Sequence, residues 1–559
     1  MPSGGIGTKN AARLSQVGMA TACCLATRPG KAGLGSRARA PFCNGFQRLD
    51  AARRWQDEGP VRLVVFHYHD RPGGVRQVIS RGLPLLLGRL GGVTEVVLLL
   101  GELTDPAWTR ELAEALAGIP LRVEVHRGLG YLSGATQEIG AEARAVVIGE
   151  LSGNEVLVWA HNLSVGRNLP LLRHLPEWCA SAGARLWLHH HDWWWDGRWS
   201  HWADWQAAGI ADLEDALELS VPTGSHIRHW CVNLADLPWL QSRAGKAAQW
   251  VGNPLPEMAV PGKTSVAHAK AWLHSLTDGR RVWLAPVRAL RRKNLAEAIF
   301  LAQHQAEPVC IVTTGGPSSP AEGPAWESLC QTAAQHHWPF VPSVLAPGAP
   351  TCSPRQRPGF SVPPSLPSLM TAADAIVMPS LQEGFGLPYL EAASLGKPLL
   401  ARALPEAVAN LAALGCTLPA TYDKLPVAPE SFDAAKESTR LAARWALLRS
   451  GLPKQLRMNW DVIQPVDNID FGCLSLEAQM EVLQSNPGIS ISLPEPQVPR
   501  LHAGYRVDCW ADRFFQMPAE EGDQAVDPGG QNVRPTHESL LPEVIRRFHS
   551  WSRHPLLWP

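Results

Sequence analysis

The chain has 559 residues, 45% of them hydrophobic, and its 51 Lys plus Arg are balanced by 51 Asp plus Glu. That length exceeds what one core ordinarily supports, so two or more domains are expected, and the balanced charge excludes a global field for nucleic acid or an anionic membrane. Apart from Cys23-Cys24, the 11 cysteines are scattered without metal-type pairing, which predicts reduced thiols and a cytoplasmic compartment. No run reaches the roughly 18 apolar residues a spanning helix needs; Val96 to Leu100 is cut off by Gly101-Glu102.

Residues 1 to 50 are almost free of acidic residues, rich in Gly, Ala, Ser and Arg, and without periodicity. They read as a disordered tail, a transit peptide or translated upstream sequence. The first folded unit, 51 to 256, opens with a buried strand from Val61, followed by Gly73-Gly74 and an apolar helical stretch to Leu87. Further strands are expected at Glu95 to Leu100, Leu121 to His126, Glu155 to Ala160, Arg185 to His190 and Leu217 to Val221. A second unit, 257 to 425, has strands at Val282 to Pro286, Val309 to Thr313, Phe340 to Val344, Ala375 to Met378 and Pro398 to Ala401. Such alternation of strands with helix-length segments predicts two doubly wound, Rossmann-like parallel sheets facing across a cleft. Residues 345 to 368 read as a Pro/Ser-rich loop, and 426 to 559 as an extension with helices at Ser475 to Leu483 and Tyr505 to Phe515 and a loop at Pro518 to Pro535.

Two junctions carry candidate chemistry. In PSLQEGFGLPYLEAASLGKP, Ala375 to Met378 is a strand, Glu383-Gly384-Phe385-Gly386 the loop leaving it, and Leu387 to Leu395 a helix with Pro388 in its first turn. The N–H groups of that helix start can hold phosphate oxygens, and Gly384 and Gly386 allow close approach of the main chain to a ligand. Glu383 and Glu391 are then free for hydroxyls. In PVRALRRKN, Arg288 and Lys293 follow a strand and open a helix, where they can neutralise a leaving diphosphate.

The first of these segments resembles the donor signature of the retaining glycosyltransferases of family four, glycosyl transferases group 1, which have a GT-B fold. The resemblance implies that Glu383 contacts the transferred sugar, Glu391 the nucleotide ribose, and the amides of Gly384, Phe385, Gly386 and Leu387 the pyrophosphate. It places Arg288 and Lys293 on the donor diphosphate, and likens Gly73-Gly74 to the family's glycine-rich first loop, although His67 to Asp70 departs from its usual form. His161, at the end of EVLVWA, is similar to the family's first-domain histidine facing the donor sugar; a sheet-capping histidine is the competing reading. A terminal helix crossing back to the first domain is also implied.

In His189-His190-His191-Asp192, alternate side chains point to opposite faces, so only His189 and His191 can converge, and no metal site is expected. From their position, His191 and Asp192 are assigned to an acceptor pocket walled by Trp193 to Trp195. The cluster Trp193, Trp194, Trp195, Trp199, Trp202 and Trp205 suits sugar stacking or core packing. The expected activity is transfer of a hexose from a nucleotide diphosphate sugar to a hydroxyl acceptor, with retention and without a metal or other cofactor. A sugar phosphorylase, a nucleotide-sugar epimerase and a non-catalytic carbohydrate-binding protein are the alternatives. No nucleic-acid partner and no transmembrane segment are expected. Peripheral membrane association stays compatible with the lipid-linked acceptors of many relatives, although no Lys/Arg-rich amphipathic helix supports it.

Overall fold

A computed structural model describes residues 61–132, 139–153, 155–254, 260–346, 363–458, 469–487, 493–501, 509–515 and 540–558. The tail 1 to 50, the 518 to 535 loop and most of the 345 to 368 stretch lie outside the described residues. The first half contributes seven strands: β1 (Val61–His67), β2 (Val93–Leu100), β3 (Leu121–Val125), β4 (Val156–His161), β5 (Arg185–His190), β6 (Ile227–Cys231) and β7 (Ala248–Trp250). They form one parallel sheet in the order β3-β2-β1-β4-β5-β6-β7. Runs such as VRLVVFH and VLVWAH are apolar on both faces because helices cover both faces.

The second half repeats the plan with β8 (Arg281–Ala285), β9 (Val309–Thr313), β10 (Phe340–Val341), β11 (Ala375–Met378) and β12 (Leu399–Arg402). Of the two short strands that follow, β13 (Cys416–Thr417) pairs antiparallel with β15 (Arg500–Leu501), and β14 (Thr421–Tyr422) extends the sheet to β10-β9-β8-β11-β12-β14. In both sheets the order reverses beside the first strand, at β1/β4 and at β8/β11. These are the switch points at which open α/β sheets bind ligands. Two such halves across a cleft make the GT-B fold.

One expectation fails. Leu217 to Val221 is not a strand but the end of a helix, Leu213–Ser220. The Asp212 carboxylate caps that helix by accepting from Asp215 N at 3.0 Å, and Leu213, Ala216, Leu217 and Ser220 form its buried face. The strand follows at β6, whose His229 is buried and held by His190 and the Pro222 carbonyl. A histidine in a buried strand does not read as apolar, which hid β6 in the sequence.

The C-terminal extension packs against the first half. Trp510 and Phe514 cover Trp159, Trp187 and Trp230 on one face of its sheet, with ring centroids 5.1 Å apart for Trp230 and Phe514. A Cβ on Gly82, in the Gly74–Leu87 helix, would come 2.6 Å from Trp510, so only glycine admits this indole. On the opposite face, Trp445 from the Ala434–Ser450 helix and Val544 and Phe548 from the Leu540–Ser552 helix join the core. The Leu476–Ser485 helix instead packs on the second half through Ala478, Val482 and Leu483. No helix among the described residues is long and apolar enough to cross a membrane.

Candidate functional site

The loops leaving β8 and β11 meet at the switch point. Lys293 and Glu383, both nearly buried, form an ion pair, and Arg292 Nη1 lies 3.6 Å from the same carboxylate. Two backbone-directed bonds lock the loops together: Leu381 N donates to Arg292 O at 2.9 Å, and Arg292 Nη1 to Gln382 O at 2.7 Å. Burial lowers the Lys293 ammonium to about 8 against the pull of Glu383. Burial alone would raise Glu383, but the two neighbouring cations outweigh it and hold the carboxylate below its ordinary range.

Arg288 reaches across the cleft. A Cβ on Gly73 would stand 3.9 Å from its Nη2, and its guanidinium makes no ion pair among the described residues. Gly73 itself is extended, at φ 170°, and a Cβ on Gly74 would meet nothing within 4 Å. The pair of glycines therefore leaves room rather than making a special turn. Gly386 does need glycine: it caps the Leu387–Ser394 helix at φ 89°, with Tyr389 2.5 Å from a notional Cβ. Phe385 departs from a ligand role for its side chain, since the ring is 4% exposed and packs toward Gly252 of the first half. Only its amide is available to a ligand, as are those of Gly384 and Leu387.

Glu391 is buried one turn into that helix, and its Oε1 lies 3.7 Å from Arg81 Nη2 of the first half. Burial raises the carboxyl and lowers the guanidinium, each against the pull of its partner. Asp192 faces Gly384, 3.3 Å from its notional Cβ, and pairs with Arg198 at 3.2 Å. Asn162, in the left-handed region at φ 61°, accepts through Oδ1 from the amides of His191 and Asp192 and so aims that loop at the cleft.

His161 does not open onto the cleft. It is fully buried on Trp159, and its Nδ1 lies 3.0 Å from His191 Nε2. The structure thus adds His161 to His189 and His191, a third imidazole that strand alternation alone could not supply. Burial pushes His67, His161 and His189 well below the ordinary histidine range, so the rings are neutral. The tryptophan cluster is core: Trp193, Trp194, Trp195, Trp199, Trp202 and Trp205 are at most 2% exposed, and Trp193 stacks on Trp195 at 4.8 Å. Sugar stacking on these rings is excluded by that packing.

Arg81, Arg292 and Asn162 are site neighbours that the sequence did not single out. Arg292 lies in the basic run of PVRALRRKN, beside Lys293. Arg81 is one arginine on a helix, and only the approach of the two halves gives it meaning.

Residues 356–428, which contain the Glu383 to Glu391 segment, match the glycosyl transferases group 1 family. The match lies within the second half. Among solved structures, the chain is similar to Anabaena Alr3699/HepE in complex with UDP-glucose, at 15% identity over 62% of this chain and 81% of that chain, with a TM-score of 0.43. It is also similar to WaaG, a glycosyltransferase involved in lipopolysaccharide biosynthesis, at 14% identity over 65% and 86%, with a TM-score of 0.42. A glycosyltransferase from Rickettsia africae shows 11% identity over 63% and 81%, with a TM-score of 0.38. No curated protein sequence matches the chain.

Proposed function

We propose that this protein is a retaining, metal-independent hexosyltransferase of the family-four type, acting in the cytoplasm on a nucleotide diphosphate sugar and a hydroxyl acceptor. The observation that carries the reading is the meeting of Arg288, Lys293, Glu383 and the Leu387–Ser394 helix start at one switch point, opposite the open Gly73-Gly74 loop. Cations and free amides at that place suit a diphosphate whose charge grows as the glycosidic bond breaks. Glu383, kept ionised by its cations, accepts from hydroxyls of the transferred sugar. Glu391 accepts from the ribose, with Arg81 holding its carboxylate in place. His191 and Asp192 border the acceptor side, while His161 supports them from below instead of touching the sugar. Retention follows a front-face course in which the leaving phosphate takes the acceptor proton.

Incubation with UDP-, GDP- and ADP-hexoses and hydroxyl acceptors, followed by NMR of the product anomer, tests this. One donor is expected to yield a glycoside of unchanged anomeric configuration. Free sugar phosphate, an epimerised donor or no product at all contradicts it.

The two glutamates are expected to separate. Glu391→Gln weakens binding of the bare nucleoside diphosphate by about ten-fold or more, since a charged hydrogen-bond partner contributes roughly 1.5 to 3 kcal/mol. Glu383→Gln cuts turnover, because its ligand partner is the sugar, and touches bare-nucleotide affinity less than Glu391→Gln, only through its ion pair with Lys293. Calorimetry on both variants decides, and equal losses would refute the division.

The diphosphate site also predicts its own pH and cation dependence. Lys293 loses its proton near pH 8 in the free protein, so diphosphate affinity is expected to fall as pH rises from 7 to 9. Lys293→Arg, which stays charged, should flatten that fall. Mg²⁺ and Mn²⁺ should leave the affinity unchanged at pH 7; a cation requirement in the titration would count against the assignment.

A further inference from the structure

Five histidines gather where the first sheet meets the cleft. His67 and His161 end β1 and β4, His189 is the last residue but one of the neighbouring β5, and His69 and His191 lie two residues beyond His67 and His189, in the loops that follow. His161 and His189 are paired in register, so their side chains leave the same face of the sheet. His191, two residues after His189, returns to that face. The ring centroids of His189 and His191 are 4.4 Å apart, those of His161 and His191 5.3 Å, and those of His161 and His189 5.2 Å.

This arrangement is poorly satisfied as a hydrogen-bonded cluster. His189 is completely buried, and neither of its ring nitrogens has a partner; Nε2 of His161 also lacks one. A buried polar group left unpaired is destabilising, and here several lie within one small volume. Among the described residues, no carboxylate is hydrogen-bonded to His161 or His189 to hold a proton on either ring. Trp159 and Phe514 pack against the His189 ring.

We propose that His161, His189 and His191 bind one divalent transition-metal cation of the zinc class. One ring nitrogen from each lies within 4.8 Å of the other two. A tetrahedral zinc with bonds of 2.0–2.1 Å needs ligand nitrogens about 3.4 Å apart, which rotation of the imidazoles about their side-chain torsions can supply. An all-imidazole donor set selects zinc, copper or nickel over magnesium or calcium. Coordination also consumes lone pairs that otherwise have no partner. The cation belongs to the first half and not to the diphosphate, whose charge is met by Arg288 and Lys293. Its role is to fix the ends of β4 and β5, and with them the His191-Asp192 segment that faces Gly384.

The test uses the full chain. Elemental analysis after purification in zinc-containing buffer is expected to give one zinc per chain. After chelation, Co²⁺ should bind with the same stoichiometry, give the visible absorption of a low-coordinate cobalt site, and be displaced by one equivalent of Zn²⁺. His189→Asn is expected to weaken cobalt binding at least 100-fold, whereas His190→Asn, whose ring turns to His229 on the other face, retains it. X-ray absorption of cobalt-loaded wild type should show three imidazole ligands, which decides the matter even if His189→Asn does not fold. Absence of stoichiometric cobalt binding, binding untouched by His189→Asn, or a ligand shell without imidazole overturns the proposal. A bridging water is what the first of these outcomes would leave.

Discussion

Arg288→Ala and Lys293→Ala are each expected to lower turnover by on the order of 100-fold or more while the protein still folds, as loss of one preorganised charge-stabilising donor does. The two residues act differently. Arg288 reaches into the cleft beside Gly73 with no ion pair among the described residues, so its charge is uncommitted until a ligand arrives. Lys293 is already engaged by Glu383, and its removal also leaves that carboxylate without its closest cation. Lys293→Ala should therefore raise the Glu383 pKa and add a pH dependence to the residual rate, which Arg288→Ala should not. Steady-state kinetics across pH, with thermal melts as a folding control, separate the two. Full activity in both variants would remove them from the chemistry.

The largest stability effect is expected at Arg402. Its guanidinium, 5% exposed, donates to Glu297 at 2.6 and 2.9 Å and to Asp470 at 2.7 and 3.0 Å. Tyr422 Oη donates to Glu297 at 2.6 Å, and Asn294 Nδ2 reaches the same carboxylate at 2.6 Å. The network thus begins one residue after Lys293 and ties the cation loop to β12 and the C-terminal extension. Arg402→Ala strands two buried carboxylates, which should cost about 3–5 kcal/mol. The sign of the pH response follows. In the wild type, burial would raise Asp470 but Arg402 holds it low, so its contribution is present above about pH 4 and is lost in acid. Glu297 differs, since burial already outweighs Arg402 and holds its carboxyl above the ordinary range; without Arg402, burial raises Asp470 as well and Glu297 further, so the variant loses stability as pH rises through those raised values. Denaturant melts at pH 5 and pH 8 should show the deficit growing with pH; a loss below about 1 kcal/mol at pH 8 would mean that the network is not a clamp.

Much of the second half was legible because its signals are local. Strands β9 and β11 are short β-branched runs bounded by loops, and each candidate motif sits between one strand and one helix. What could not be read depends on distant partners. The helix Leu540–Ser552 carries Leu541, Val544, Phe548 and Trp551 at helical spacing, yet Pro542 and the Pro/Gly-rich stretch before it obscure the pattern. Strand β7 is three residues long and exists only as an edge of β6. The histidine cluster needs the register of β4 against β5, which no single segment encodes, and the Arg81–Glu391 contact needs the two halves brought together. The tryptophan-rich segment left sugar stacking and core packing both open because composition alone does not choose between them; here the indoles pack on one another, as Trp193, Trp195 and Trp239 do.

Titration of UDP, GDP and ADP into the wild-type protein and Glu391→Gln by calorimetry bears most directly on the nucleotide-sugar site. One nucleoside diphosphate is expected to bind the wild type with a Kd in the micromolar range and to lose about ten-fold or more in the variant. Failure of all three to bind the wild type at millimolar concentration, or an affinity indifferent to Glu391, would contradict the assignment of this cleft to a nucleotide diphosphate sugar.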